Sequence, residues 1–288
     1  MKRLLIATAV VAAMLVPASQ ALGSSHHPTG EFINMGECPL SHPALVFCTF
    51  SESTGGFFQI GKKTVPLKNP VILQGGLEVN EAEEKGIFVG AENGETLSKT
   101  PQTVPGGLLG IEAPSWWPTF LKNLFNEFIN KGATGVTATV ELAGPASAIE
   151  VNPENILFET GIGLSLPTKI KLSNGFLGNN CYIGSNSKPV TIAFTSGATS
   201  PPPPNKSIHG SAGTFFSGPE GLTRLSGGKL VNNSFAAPGA SGCGGLFAFL
   251  VDPFVNELVG LPSPAGTNTA ILEGKLELAE AAAVKASE

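Results

Sequence analysis

The chain has 288 residues, a formal net charge of −5 and only 14% charged residues, with 36 glycines and 23 prolines. Average soluble proteins carry about 25% charged residues. The two arginines, Arg3 and Arg224, and the single aspartate, Asp252, exclude a basic face for nucleic acid and an Asp-rich calcium loop. Asp252 is also the only aspartate that a Ser-His-Asp triad could use.

Residues 1–21 have the layout of a secretory signal peptide. The basic pair Lys2-Arg3 precedes an apolar run of 13 residues, Leu4–Val16, and small residues follow it. Such a run is too short to cross a bilayer comfortably, so we expect cleavage near residue 21, with Gly23 as an alternative point. Residues 22–29 are then expected to form a mobile leader. No later stretch is apolar enough for a transmembrane helix, so we expect a secreted or cell-envelope protein.

Four cysteines fit an oxidising compartment, where an even count indicates two disulfides with three possible pairings. We favour Cys38 with Cys48 and Cys181 with Cys243. The second bridge closes the longer loop and therefore restrains the unfolded chain more than the first. Its own contribution is roughly 4 kcal/mol in the loop-entropy treatment. A zinc site is disfavoured, because the sequence has no C-x2-C or H-x3-H spacing.

Residues 30–147 are predicted to form a first β-rich module. Short β-like runs separated by glycine and proline turns indicate strands at residues 57–60, 71–73, 87–89 and 136–142. Between the last two, residues 117–131 repeat apolar side chains at helical spacing, which predicts one amphipathic helix. Its apolar stripe consists of Trp117, Phe120, Leu121, Leu124, Phe125, Phe128 and Ile129.

The adjacent tryptophans Trp116 and Trp117, together with Phe120, are the strongest binding candidates in the sequence. Tryptophan is enriched at membrane interfaces, so the stripe Trp116–Ile129 could lie on a lipid surface. Its polar face is nearly neutral, whereas interfacial helices usually carry Lys or Arg to meet anionic lipid. We therefore expect the stripe to pack against a sheet, and an envelope lipid or carbohydrate is the alternative partner.

Residues 148–280 are predicted to form a second β-rich module, with an insertion at residues 181–245. Short strands are expected at residues 156–158, 169–172, 190–194 and 270–272. Asp252 followed by Pro253 predicts the start of a second helix, residues 253–259, because aspartate caps helices and proline suits the first turn. Residues 281–288 are rich in alanine and glutamate and are expected to fray.

The two predicted helices suggest an internal duplication. Each carries an Asn-Glu pair, Asn126-Glu127 and Asn256-Glu257, and each is followed by the string Glu-Leu-Ala, at residues 141–143 and 277–279. The sequence therefore predicts a mainly β fold: two related β-sandwich or barrel-like modules, each with one short helix, after a signal peptide.

The sequence contains few candidate catalytic residues. Only His42 and His209 lie where a folded site could use them as a base, with a glutamate as partner. A G-x-S-x-G elbow, an H-E-x-x-H helix and a phosphate-binding glycine loop are all absent. We expect no catalytic residue, no cofactor and no metal site, and a secreted hydrolase that uses His42 or His209 remains the alternative.

The sequence resembles uncharacterised secreted proteins of high-GC Gram-positive bacteria. The resemblance is carried by the leader, by Cys38-Pro39 to Cys48, by Gly61 through Gly75-Gly76-Leu77, and by Cys181-Tyr182-Ile183-Gly184-Ser185. It implies export and implies no activity, cofactor or catalytic residue. We therefore expect a non-enzymatic protein of the envelope or extracellular space with a structural, adhesive or binding role. The second alternative is a lipid-binding or membrane-associated β protein that uses the Trp116–Ile129 stripe.

Overall fold

The computed structural model is mainly β, with 39% strand and 18% helix, which confirms the predicted fold class. The structure describes residues 26–80, 85–107, 110, 113–131, 135–218 and 221–288. The predicted signal peptide, residues 1–21, and the first part of the predicted leader lie outside these ranges.

The strands are β1 (Phe47–Ile60), β2 (Lys63–Pro66), β3 (Val71–Asn80), β4 (Lys85–Gly90), β5 (Gln102–Thr103), β6 (Thr137–Leu142), β7 (Glu150–Val151), β8 (Leu164–Ser173), β9 (Tyr182–Ile183), β10 (Val190–Phe194), β11 (Thr214–Ser217), β12 (Thr223–Asn232), β13 (Ala240–Ser241) and β14 (Thr269–Glu280). The helices are α1 (Thr119–Lys131), α2 (Pro153–Leu157), α3 (Ala248–Val259) and α4 (Ala281–Ala286). Short 3-10 helices lie at Gly30–Met35, Ala146–Ala148 and Gly245–Phe247.

The fourteen strands of the described residues belong to one sheet, ten of them in the order β11-β12-β14-β1-β3-β4-β7-β8-β6-β5, and β13 joins the sheet by pairing with β9. The strands β9 and β10 pair with β8, and β2 pairs with β1. Backbone hydrogen bonds between Thr195, just after β10, and Val231 of β12 bring the two halves of this order together. The predicted modules at residues 30–147 and 148–280 thus contribute strands to one sheet, and their boundary stays a prediction.

The alternation of side chains along β8 shows why this segment forms a strand. Leu164, Leu166, Thr168, Ile170 and Leu172 point inward and are buried, whereas the intervening positions are partly exposed. Successive side chains of a strand point to opposite faces of the sheet, so a sequence that is apolar at every second position buries one face. These inward side chains form part of the main core, which also includes residues of β1, β10, β14 and α3.

The longest strand, β1, is interrupted by a bulge between Ser53 and Gly55 where it pairs with β14. Gly56 lies next to the bulge with a φ of 100°, a left-handed value that favours glycine. A Cβ atom at this position would also collide with the carbonyl oxygen of Ile271 on β14. The glycine therefore allows the two long strands to pair closely on both sides of the bulge.

Both favoured disulfides are present. Cys38 is bonded to Cys48 and Cys181 to Cys243, and all four residues are buried. The first bridge belongs to a small second core beneath the 3-10 helix Gly30–Met35. The second belongs to the main core and ties the start of β9 to the segment before α3. Two disulfides fit an exported protein.

One short helix replaces a predicted strand. The run at residues 156–158 was expected to be extended, but Ile156 lies in α2. The Asn152 side chain accepts a hydrogen bond from the backbone N–H of Asn155 at 3.0 Å, and Pro153 occupies the first helical turn. The strand prediction is wrong because this capping pair fixes a helix start, which the short apolar run alone did not indicate.

The second predicted helix is longer than expected. It starts at Ala248 rather than at Pro253, so Pro253 lies inside α3 and Asp252 is not the N-terminal cap. The Asp252 carboxylate instead accepts backbone hydrogen bonds from Gly242 at 3.2 Å and Cys243 at 2.7 Å. The single aspartate keeps a structural role, but it holds the loop before the helix rather than the helix end.

The predicted insertion and the predicted C-terminal tail both form regular structure. Residues 181–245, expected to be an insertion, supply the strands β9 to β13, which pair with β8, with β14 or with each other. Residues 281–288, expected to fray, form α4 and bury Val284 in the small core. The end of the predicted mobile leader is also ordered, because the Thr29 N–H donates to the Ser287 carbonyl at 3.1 Å.

Candidate functional site

The α1 helix exposes part of the apolar stripe that was expected to pack against a sheet. Trp116, just before the helix, is 80% exposed and Phe120 is 72% exposed, and Leu121 and Leu124 are also exposed. Trp117 alone of the two tryptophans is partly covered, by edge contacts with Trp116 and Phe125. The predicted packing is wrong for these described side chains, since helical spacing shows that a helix has an apolar face but not what covers that face.

The β-structure holds α1 at both of its ends. The helix lies in the chain segment that connects strands β5 and β6, and these two strands pair with each other. At the base of this segment, the N–H of Val104, which precedes it, donates to the carbonyl of Val136, which follows it, at 2.9 Å. The Asn126 side chain accepts a hydrogen bond from the Ala113 backbone N–H at 3.1 Å. The helix therefore projects from the end of a strand pair, with the preceding segment bound to its side.

The α3 helix exposes a second apolar surface. Leu246, in the 3-10 turn before the helix, is 95% exposed and Phe249 is 72% exposed. The opposite side of α3 buries Val255 and Val259 in the main core, so the helix is anchored and its outer side is free of covering residues among those described. Further exposed side chains on this segment are Phe247, Leu250 and Phe254.

A single loop brings the bases of the two helices together. The Asn174 side chain donates to the Gly135 carbonyl just after α1 at 2.6 Å. Three residues on, the Leu177 carbonyl accepts a hydrogen bond from the Gly244 N–H, just before α3, at 2.7 Å. Phe176, between these two contacts, is itself exposed. Both helices therefore leave the β-structure at the same end of the molecule.

We call this surface the apolar end. It consists of the exposed side chains of the two helical segments and of the loop between them: Trp116, Phe120, Leu121, Leu124, Phe176, Leu246, Phe247, Phe249, Leu250 and Phe254. Soluble monomers rarely expose so many large apolar side chains in one region, and such regions mark interaction sites.

Few charges accompany the apolar end. The Lys122 ammonium donates to the Ser115 carbonyl at 3.3 Å, and Lys62, in the turn that contacts the end of α3, pairs with Glu257 at 3.4 Å. These lysines therefore bind groups of the chain itself. None of the helices within the described residues is both long enough and apolar enough to cross a membrane.

Of the two histidines proposed as catalytic bases, His42 lies beside a glutamate, whereas His209 contacts a backbone carbonyl. His42 Nδ1 lies 3.3 Å from the Glu78 carboxylate at the surface, and His209 Nδ1 contacts the Gly210 carbonyl at 2.8 Å. Within the part of the chain that the structure describes, neither ring is hydrogen bonded to a serine hydroxyl. These contacts support a surface role for both histidines.

One carboxylate, Glu277, is buried, and its partners explain its burial. Arg224 Nε and Asn34 Nδ2 each donate to it at 2.9 Å, and the Lys275 ammonium lies 3.5 Å away. The hydrogen bond from Arg224 to Glu31 raises the pKa of Arg224 above its ordinary value, burial lowers it in part, and the contact with Glu277 raises it again. The Glu277 carboxylate is thus held by a permanent cation and serves the packing of β12 on β14.

The apolar voids observed in the main core are too small for a lipid chain. Its apolar voids measure about 60 Å³ and 70 Å³, whereas ligand pockets typically measure about 300 Å³ or more. The larger void lies between the sheet and the inner side of α3, next to Val255 and Val259. Lipid carriage inside the protein is therefore less well supported than contact with a lipid at its surface.

A polar pocket of about 290 Å³ lies beside the second disulfide. Its residues come from β8, from the segment around β9 and from β13, namely Lys169, Asn180, Tyr182, Gly184, Ser185, Asn186, Ser241 and Gly242. The Lys169 ammonium donates to the Asn186 side chain at 3.1 Å and lies 5.1 Å from the centre of the Tyr182 ring. The sequence indicated none of these side chains as a site, and the only signal was the position of Tyr182 next to Cys181.

Glu141 of β6 completes the charge arrangement of the polar pocket. Its carboxylate lies 3.9 Å from the Lys169 ammonium and accepts a hydrogen bond from the Tyr182 hydroxyl at 3.4 Å. Partial burial raises the pKa of Tyr182, and the negative charge of Glu141 and this hydrogen bond raise it further. The pocket therefore combines a neutralised ion pair with uncharged amide and hydroxyl groups.

Among the described residues, no group of three or more His, Cys, Asp or Glu side chains is arranged to hold a metal ion. Comparison of the chain with models of known protein families, with curated proteins and with solved structures finds no match. The geometry of the apolar end and of the polar pocket is therefore the basis for proposing a function.

Proposed function

We propose that this chain is an exported, non-enzymatic protein that binds a lipid surface through its apolar end. The observation that carries the proposal is the exposure of Trp116, Phe120, Leu246 and Phe249 on two helices that leave the same end of a disulfide-bonded β-structure. Phe and Trp side chains on a helix that lies in the plane of a membrane insert into the boundary between headgroups and acyl chains.

The apolar end has enough surface for such binding. Transfer of one large apolar side chain from water contributes about 2 kcal/mol. Association costs an estimated 4 kcal/mol or more in lost translational and rotational freedom, so about three or four inserted rings are needed for measurable affinity. The two helical segments expose Trp116 and Phe120 on one side and Phe247, Phe249 and Phe254 on the other, which meets this requirement.

The chemistry of the apolar end favours lipid over a folded protein partner. A protein interface usually surrounds its apolar centre with polar groups and makes about one hydrogen bond per 100–200 Å². The segment from Gly245 to Val251 offers no polar side chain at all, and the nearby lysines Lys62 and Lys122 are engaged within the chain. An acyl environment requires no hydrogen bonds from the protein side chains, whereas a protein partner would require them.

Binding to phosphatidylcholine vesicles tests the proposal. Trp116, in the apolar end, and its neighbour Trp117 are the only tryptophans in the chain, so selectively excited tryptophan fluorescence reports on this segment. We expect the mature protein to co-sediment with the vesicles and its tryptophan emission to shift to the blue on binding. Leu246→Glu is expected to weaken vesicle binding about tenfold or more, because it places a charge where an apolar side chain enters the lipid.

Ile33→Glu is the matched control, because Ile33 is a similarly exposed aliphatic residue in the 3-10 helix Gly30–Met35, outside the apolar end. We expect this variant to bind vesicles like the unmodified protein. Equal loss of binding in both variants, or no binding by the unmodified protein, would contradict the proposal. Self-association that Leu246→Glu abolishes, without vesicle binding, would instead identify a second copy of the chain as the partner.

A further inference from the structure

We propose that the polar pocket beside the Cys181–Cys243 disulfide binds a neutral hexose unit of a saccharide. This site is separate from the apolar end, and its evidence does not depend on lipid binding. Its volume of about 290 Å³ exceeds that of the apolar core voids, and it is close to the lower limit of typical ligand pockets, about 300 Å³.

The Cys181–Cys243 disulfide holds the walls of the polar pocket in place. Cys181 lies between two pocket residues, Asn180 and Tyr182, and Cys243 directly follows a third, Gly242. The Cys243 N–H is in turn held by the Asp252 carboxylate at 2.7 Å. Both walls are therefore fixed before a ligand arrives, which lowers the entropy lost on binding.

The side chains of the pocket match the hydroxyl groups of a sugar. Amide groups of Asn180 and Asn186 and hydroxyl groups of Ser185 and Ser241 can each donate and accept hydrogen bonds, as sugar hydroxyls do. The ring of Tyr182 adds an aromatic surface to the same pocket, and the C–H face of a pyranose packs on such rings.

The charges in the pocket favour a neutral ligand. Among the described residues, Lys169 is the only charged one that lines it, and the Glu141 carboxylate lies 3.9 Å from the lysine ammonium. An anionic ligand would have to compete with Glu141 for this cation and would be repelled by the same carboxylate. Lysine carries three N–H donors, so Lys169 can donate to a sugar hydroxyl while it keeps its bond to Asn186.

The saccharide can come from two sources, a free glycan or the headgroup of a glycolipid. Ser241 and Gly242 line the pocket, and Leu246 of the apolar end follows Gly242 after four residues, a chain distance of at most about 14 Å. A protein seated on a membrane by its apolar end would thus hold the pocket near the headgroup layer. The two sources share the same sugar chemistry and are separated by experiment.

The first arm of the test measures binding of soluble maltotriose, mannotriose and galactotriose to the mature protein by saturation-transfer NMR and calorimetry. The second arm compares phosphatidylcholine vesicles with and without digalactosyldiacylglycerol. We expect saccharide-dependent binding in at least one arm. Binding in the first arm identifies a free glycan, and a gain confined to the glycolipid vesicles identifies a headgroup. The absence of saccharide-dependent binding in both arms overturns the proposal.

Two neighbouring asparagines provide a matched pair of variants. Asn180 lines the pocket, whereas Asn179 does not, and both are exposed, so neither substitution disturbs the core. We expect Asn180→Ala combined with Asn186→Ala to weaken saccharide binding about tenfold, the loss of one or two hydrogen bonds. Asn179→Ala should bind like the unmodified protein. Equal binding by all variants would overturn the assignment of the ligand to this pocket.

The apolar-end variant Leu246→Glu separates this proposal from the proposed function. It removes the contact with lipid but leaves the pocket side chains in place, so binding of the soluble trisaccharides should be unchanged. Conversely, the combined Asn180 and Asn186 variant should still bind vesicles that lack glycolipid. Lipid binding and saccharide binding can therefore each be lost while the other is still measured.

Discussion

Tyr182 is the only tyrosine in the chain, so the near-ultraviolet absorbance of its phenolate can be followed without interference from another residue of this type. Partial burial raises its pKa above the ordinary value of 10.0, and the adjacent Glu141 carboxylate raises it further. A raised pKa means that the folded state favours the neutral phenol. This contribution to stability is therefore complete below pH 10.0 and is lost as the pH rises through the pKa of the folded protein.

We predict a titration midpoint for Tyr182 above 10.0, measured while circular dichroism confirms that the chain is still folded. Glu141→Gln removes the negative charge and should lower the midpoint, but the midpoint should stay above that of free tyrosine because burial is the larger cause. A midpoint at or below the free value would show that the phenol is fully solvated. The polar pocket would then lack the enclosed aromatic ring on which sugar binding depends.

The sequence indicated some functional side chains and not others, for a physical reason. Trp116 and Phe120 were predicted as binding candidates because adjacent aromatic residues and helical spacing are local patterns. The pocket residues Lys169, Tyr182 and Ser241 are separated by up to 72 positions in sequence and meet only through the pairing of β8, β9 and β13. No local pattern records such pairing, so the polar pocket was not predicted.

At the scale of the elements, α4 allows a direct test of whether the C-terminal segment packs on the fold. Val284 is fully buried against the 3-10 helix Gly30–Met35 and its neighbours, whereas Lys285 is exposed. We predict that Val284→Ser lowers the free energy of unfolding by about 2 to 3 kcal/mol. Lys285→Ser, the control one residue away, should change it by less than about 0.5 kcal/mol. Equal midpoints for both variants in urea denaturation would mean that the tail frays, as its composition suggested.

The helices show which helix boundaries can be predicted from the periodicity of apolar residues and which cannot. The end of α1 at Lys131 agrees with the predicted range 117–131, because a glycine follows the periodic stripe. The start of α3 was placed five residues late, because Pro253 normally marks a first turn and here lies within the helix. One contact is common to both helices: an asparagine side chain of the helix accepts a hydrogen bond from a backbone N–H of the segment before it. Asn126 accepts from Ala113 in this way, and Asn256 accepts from Ala240. The predicted duplication remains a prediction, and such paired contacts are what a duplication would preserve.

At the scale of the whole molecule, one apolar end projects from a body whose charge is negative. The chain carries a formal net charge of −5, and removal of the predicted signal peptide, which contains Lys2 and Arg3, would make it more negative. Of the lysines near the apolar end, Lys62 pairs with Glu257 and Lys122 donates to the Ser115 carbonyl. Binding to a lipid surface must therefore come from apolar contact, against a general electrostatic repulsion from anionic lipid.

This balance predicts how ionic strength affects binding. Affinity for neutral phosphatidylcholine vesicles should be independent of sodium chloride, because no charge pair forms across the interface. Affinity for vesicles that contain phosphatidylglycerol should be weaker at low salt and should rise with salt, since screening over a Debye length of about 10 Å at 0.1 M removes the repulsion. Leu246→Glu should weaken binding to both kinds of vesicle by about tenfold or more. Stronger binding to anionic vesicles that falls as salt is added would show that the lysines carry the contact, and the apolar end would then not be the membrane-binding surface.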